Sequence, residues 1–378
     1  MASSAVDDDT VITPTLPAVS EKRIARIPSL DGLRAISIAA VLMGHLAGTQ
    51  GFPPVLTSVL RNGYVDFAAL GVTVFFVISG FLITGLLLAE EHKTGGVNLA
   101  RFYIRRTLRI VPAYAALLIV VAVLDSRGII SVPRADFVHA LTYTMNYESG
   151  RTWYLGHLWS LAVEEQFYLL WPAAFAFTNL KWSTRIAFAV FCLVPFIRLG
   201  EATLWPGRDA TIFTTFETAA DALAGGCLLA LSRDALFARP RYRRLVESAW
   251  AIPALLVVGL AVSARFRPAI VVGHSIVVFA VAAGVDRCVR HPDGAFGTLL
   301  NARPVVFVGT LSYSLYLWQQ LFLNRGSDAP LASFPANIVC ATTAALLCHF
   351  LIEKQALKLR SRVEGKTPPR AMTAESVS

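Results

Sequence analysis

Ten stretches of the chain are nearly free of charge. They fall at about 32–50, 65–89, 110–124, 158–178, 186–200, 211–231, 249–263, 269–285, 304–323 and 334–352. Short connections rich in Arg, Lys, Gly or Pro separate them. None alternates apolar and polar residues as a barrel strand would. A helix needs roughly 20 residues to cross a bilayer, so the shorter runs must extend into their polar flanks. The pattern predicts an all-α, polytopic membrane protein, a bundle of about ten transmembrane helices.

Composition agrees and adds an orientation. Of 378 residues, 55% are apolar and 16% charged, against roughly 45–50% and 25% in soluble proteins. Disordered, collagen-like and disulfide-scaffold classes are excluded, and a soluble two-domain enzyme fits poorly. The net charge of +9 is not spread evenly. With the N-terminus placed in the cytoplasm, connections and tails on that side hold 24 Lys and Arg, and the opposite connections hold 8. All six lysines fall on the first side. This bias predicts an even number of spans, both termini cytoplasmic and a multi-pass protein of the cell membrane. Basic residues confined to such connections do not describe a nucleic-acid surface. Residues 1–28, acidic at first and containing Pro14 and Pro17, read as a disordered cytoplasmic tail. Residues 29–353 form the transmembrane domain and 354–378 a basic cytoplasmic tail, with no second soluble domain expected after it. The five cysteines make no CxxC pair, and no metal-ligand spacing is visible.

Three polar sets interrupt the apolar runs, where each ionisable group costs about 2.5–3.5 kcal/mol. In SLDGLRAISIAAVLMGHLAG, Arg34 and His45 are eleven residues apart, on nearly one helical face and about 16 Å apart along the axis. A neutral imidazole inside the membrane can act as a general base, carry an acyl group, or be a hydrogen-bonded structural histidine beside a snorkelling arginine. In HLWSLAVEEQFYLLWP, His157, Ser160, Glu164 and Trp171 share a face, and Glu165 points about 100° away. Residue rise puts Glu164 and His45 at similar depth, which predicts a carboxylate–imidazole pair. In ARFYIRRTLRIVP, Arg101, Arg105 and Arg109 form a stripe on the cytoplasmic side, with Arg106 three residues before Arg109. Such guanidinium groups suit phosphates or simply flank a span. Asp221 and Glu217 are further buried acids without an evident partner.

These segments together resemble the acyltransferase 3 family of integral-membrane O-acyltransferases. The resemblance runs through SLDGLRAISIAAVLMGH, FFVISGFLIT, RFYIRRTLRIVPAY, HLWSLAVEEQFYLLWP and LSYSLYLW, spanning about 29–353. It implies a ten-helix enzyme that uses acyl-CoA, commonly acetyl-CoA, on the cytoplasmic side and acylates a hydroxyl of a surface or exported glycan. It assigns Arg34 and His45 to the family's arginine–histidine motif, Arg106 and Arg109 to its paired arginines, and Glu164 to its serine–x–x–glutamate block. The expected arrangement has Arg105, Arg106 and Arg109, with Arg34, on the phosphates of the acyl-CoA donor. His45 is base or acyl carrier, and Glu164 orients it. The partners expected are acyl-CoA, a glycan or glycosylated small-molecule acceptor and lipid, with neither metal nor nucleic acid; the oligomeric state is left open. Two departures stand out: Gln319 and Gln320 follow YLW where a histidine is frequent, and the terminal block reads IEKQ. Alternatives are acylation of a small metabolite such as a macrolide sugar and, from another class, a proton-coupled secondary transporter using intramembrane His and Glu. No internal symmetry supports the transporter.

Overall fold

The computed structural model describes residues 28–363, apart from 62, 64, 206–211 and 265–266, and only the backbone of 267–270 and 360–363. The tail expected over residues 1–28 therefore lies almost wholly outside the described residues, as do positions 364–378. A helix occupies each of the ten apolar runs. These are α1 Pro28–Leu46, α2 Phe67–Thr94, α3 Leu99–Ser126, α4 Leu158–Ala176, α5 Leu180–Leu204, α6 Phe216–Phe237, α7 Ala251–Ser263, α8 Arg267–Arg290, α9 Arg303–Phe322 and α10 Ala336–Cys348. No strand occurs among the described residues.

Length and apolarity alone qualify six helices as spans: α1, α2, α3, α5, α8 and α10 with its continuation to Leu359. A seventh is the pair formed by the short helix Pro240–Glu247 and α7, bent by 94° at their junction. This count falls below ten for a physical reason. Helices α4, α6 and α9 have 19, 22 and 20 residues, enough to cross, but carry the polar side chains that lower their hydropathy. The chain is a multi-pass membrane protein.

Local sequence sets the helix ends. Asp66, Asn98 and Asn179 cap α2, α3 and α5 by accepting the backbone N–H of Ala69, Arg101 and Trp182 at 2.9–3.0 Å. Helix α1 stops at Leu46, four residues before its apolar run ends, because Gly48 turns the backbone to φ +91°. Past α10 a π turn over His349–Glu353 carries the helix into Lys354–Val363. The first ten residues of the expected C-terminal tail are therefore helical.

Helix α2 runs through the centre between α1 and α6. Its contact with α6 rests on two facing glycines: a Cβ at Gly80 would lie 2.0 Å from the Leu223 carbonyl oxygen, and one at Gly226 2.1 Å from that of Val77. Only glycine lets these backbones approach so closely. Ile38, Val77, Ile78, Leu117, Leu223 and Leu317 fill the shared core. Large apolar side chains such as Ile119, Leu169, Phe177 and Phe196 face outward, as a hydrocarbon solvent permits. Helix α9 lies between α1 and α10, bringing Gln319 and Gln320 to the inner wall of the bundle.

Candidate active site

The polar side chains form one seam through the apolar bundle. It begins at the last turn of α1. His45 Nδ1 lies 2.8 Å from Gln319 Oε1 on α9. The amide oxygen only accepts, so Nδ1 carries the proton and Nε2 keeps its lone pair. No hydrogen bond to Nε2 occurs among the described residues. Trp153, from the short helix Trp153–Gly156, meets the His45 ring edge-on with centroids 5.3 Å apart. The amide nitrogen of Gln319 is buried and has no hydrogen-bond partner among the described residues.

One step inward, His157 repeats the arrangement with Gln320. Its Nδ1 is 3.0 Å from Gln320 Oε1 and its Nε2 3.0 Å from the Leu317 carbonyl oxygen. Trp153 Nε1 donates to the Gln320 carbonyl at 2.9 Å, tying its helix to α9. A turn further, Ser160 and Tyr316 share a hydrogen bond of 2.5 Å, and Tyr316 also donates to the His157 carbonyl at 2.9 Å. The expected common face of His157, Ser160, Glu164 and Trp171 is present: all four turn into the bundle, with Trp171 Nε1 donating to Thr84 at 2.9 Å.

The seam then reaches Glu164. Its carboxylate accepts hydrogen bonds from Ser79 on α2 and Tyr168 on its own helix. Arg106 Nη2 stands 3.7 Å away, and the Arg106 guanidinium lies 3.5 Å from the Tyr168 ring centroid. Arg106 Nε is buried without a hydrogen-bond partner among the described residues. Arg34, held 3.4 Å from Asp31, lies close enough to act electrostatically on Arg106.

Two expectations are corrected here. Glu164 does not orient His45. His45 sits level with His157, seven residues before Glu164, and seven residues of helix rise about 10 Å. The shift follows from the early end of α1 and the register of α9, which supplies Gln319 instead. The arginines expected together on the donor's phosphates also divide. Arg106 turns inward to Glu164, while Arg105 pairs with Glu90 on α2 at 3.2 Å, and Arg101 and Arg109 are exposed. Adjacent helix positions point about 100° apart, so Arg105 and Arg106 leave α3 in different directions.

Several side chains of the seam carry little signal in the sequence. Gln319 stands out in the sequence only as a departure from a motif, and Ser79, Tyr168, Tyr316 and Trp153 are not singled out by any spacing or motif. A pair of amides in an apolar helix is the signal that could have found Gln319 and Gln320. Of the two acids expected to be buried without partners, Asp221 is fully buried and pairs with the equally buried Arg198, whereas Glu217, in the first turn of α6, is exposed and accepts from Tyr147 at 3.0 Å.

Comparison with known proteins follows the same helices. A family model described as an acyltransferase domain matches residues 27–354. The chain belongs to the acyltransferase 3 family. This acyltransferase is 28% identical over 321 residues to a peptidoglycan O-acetyltransferase, OatA, of Listeria monocytogenes, covering 77% of this chain and 48% of the relative. It is 29% identical over 322 residues to the putative peptidoglycan O-acetyltransferase YrhL of Bacillus subtilis, with the same coverage. It is 29% identical over 324 residues to the O-acetyltransferase OatA of Staphylococcus aureus, covering 77% of this chain and 50% of the relative. The acyltransferase thus spans about half the length of the curated relatives it matches. No solved structure matches it.

Proposed function

We propose that this acyltransferase moves an acyl group, acetyl in the first instance, from acyl-CoA at the cytoplasmic face of the cell membrane to a hydroxyl of a surface or exported glycan. In this reading all ten helices cross and both termini are cytoplasmic. The 24-to-8 bias of basic residues and the span-length helices α4, α6 and α9 support that topology. The named activity of the relatives supports the acetyl group and the glycan.

The observation that carries the reading is the His45–Gln319 pair at one end of the polar seam, with Arg106 and Arg34 toward its other end. Arg106 with its unpartnered Nε, Arg34 and, at the cytoplasmic edge, Arg105 and Arg109 supply positive charge for the donor's phosphates. The seam gives the thioester a polar route toward His45. His45 Nε2 takes the proton from the acceptor hydroxyl as its oxygen attacks the thioester carbonyl. The carbon–sulfur bond breaks, and the departing thiolate receives that proton back from Nε2. Gln319 holds the imidazole in the tautomer this requires. Its amide N–H, buried and without a partner among the described residues, is a donor available to the carbonyl oxygen as charge develops. Glu164 anchors Arg106 and acts on the donor end.

The test is the purified protein in vesicles, with acetyl-CoA on the arginine side and peptidoglycan-derived oligosaccharides on the other. Equal amounts of free thiol and acetyl ester are expected. Proton-coupled solute uptake without thiol release would establish the transporter instead.

A further inference from the structure

Three separate segments meet beside His45, and each contributes a side chain suited to one kind of acceptor. The loop after α1 brings Arg61, the segment before α4 brings Trp153, and the loop after α9 brings Arg325. Arg325 donates to the Gly44 carbonyl, one residue from His45, and its guanidinium lies 5.8 Å from the Trp153 ring centroid. Gly48 sits between the two arginines: a Cβ there would lie 2.8 Å from Arg61 Nη1 and 3.6 Å from Arg325 Cδ. Arg61 is exposed, and its side chain makes no hydrogen bond or ion pair among the described residues. The nearby acid is Asp66, whose carboxylate is already capping α2. Burial and the charge of Arg61 both push the Arg325 guanidinium below the ordinary arginine value.

This convergence runs against the charge bias of the chain. The side opposite the arginine stripe holds only 8 basic residues, and its first and last connections have one each, Arg61 and Arg325. Residues 264 positions apart in sequence flank the same glycine three residues beyond His45. Bringing two like charges together costs energy that a bound anion recovers. Trp153, partly exposed and in edge-on contact with the His45 ring, offers aromatic surface for a sugar ring beside the imidazole.

We infer that Arg61, Trp153 and Arg325 form an acceptor subsite for an anionic carbohydrate, with a sugar ring against Trp153 and its carboxylate or phosphate between the two guanidiniums. The inference rests on the reading that the acceptor hydroxyl meets His45, and it narrows the acceptor from glycans in general to charged ones.

The test uses the full chain in nanodiscs of phosphatidylcholine. The probes are a tetrasaccharide of alternating N-acetylglucosamine and N-acetylmuramic acid and its carboxyl-reduced, neutral counterpart. Binding is followed by tryptophan fluorescence, and acetyl transfer by ester formation. The charged probe is expected to bind about tenfold more tightly, the difference one hydrogen-bonded charge supplies. Arg61→Gln should erase most of that preference, and Arg325→Lys should retain part of it. Arg61→Gln tests the idea without touching the Arg325–Gly44 hydrogen bond. Equal affinity for the two probes, or a preference unchanged in Arg61→Gln, overturns the subsite. Acetyl transfer without charge preference would overturn it while leaving the enzymatic reading intact. Charge-selective, Arg61-dependent binding without transfer would do the reverse.

Discussion

Replacing Glu164 by glutamine removes one charge and little volume, which isolates what that charge does. The amide oxygen can still accept from Ser79 and Tyr168, so the loss falls on Arg106, 3.7 Å away. At that separation and an effective dielectric of about 20, the gross attraction is about 4 kcal/mol. Breaking a buried pair by removing one partner costs about 3–5 kcal/mol. Glu165 also acts on Arg106 and takes up part of the loss, so the net expectation is about 3 kcal/mol. The measurement is a double-mutant cycle of Glu164→Gln and Arg106→Gln, with unfolding of the purified protein in mixed detergent micelles followed by fluorescence. The double variant should be more stable than the sum of the singles implies, by about 2 kcal/mol. The KM for acetyl-CoA should rise in both singles. Additivity within about 0.5 kcal/mol would refute the pairing. A fall in kcat with KM unchanged would return Glu164 to the role of orienting His45.

Three further outcomes follow from the geometry. Gln319→Leu should lower kcat by about 10- to 100-fold with little change in KM, since it removes the group that fixes the His45 tautomer and one donor to the developing charge; Gln319→Asn should recover little, because it falls one methylene short. Gly80→Ala or Gly226→Ala should destabilise the bundle by more than the ~1 kcal/mol that the helix propensity of alanine would add, seen as a lower thermal midpoint in detergent, because each Cβ meets backbone rather than a movable side chain. Arg198→Gln should cost about 3 kcal/mol in the same assay, and Arg198→Gln with Asp221→Asn less than that, since the double change removes both buried charges.

The parts of this fold that depend on one helix at a time were legible in the sequence. Ten apolar runs became ten helices, and the seven-residue spacing from His157 through Glu164 to Trp171 put those side chains on one inward face. What depends on two helices was not. The partner of His45 is set by where α1 ends and how α9 slides past it. The end is written in Gly48, but the slide is written nowhere locally. Arg105 and Arg106 group in the sequence as one set of phosphate ligands, yet one pairs with α2 and the other turns to the bundle interior. The span count by apolar length fell to six or seven because α4, α6 and α9 spend apolar positions on the polar seam and on buried ion pairs. Arg61 and Arg325 lie 264 positions apart in sequence, each the one basic residue of its connection. Only the fold shows that they meet.

The claim that His45 is the base at the reacting centre is tested most directly by one measurement. Wild-type protein and His45→Ala, matched for amount and reconstituted in vesicles, are given labelled acetyl-CoA and the muramic-acid tetrasaccharide, and kcat for ester formation is compared. Loss of general-base catalysis predicts a fall of about 10²- to 10⁴-fold with the fold intact. Wild-type acetyl transfer by His45→Ala would contradict it.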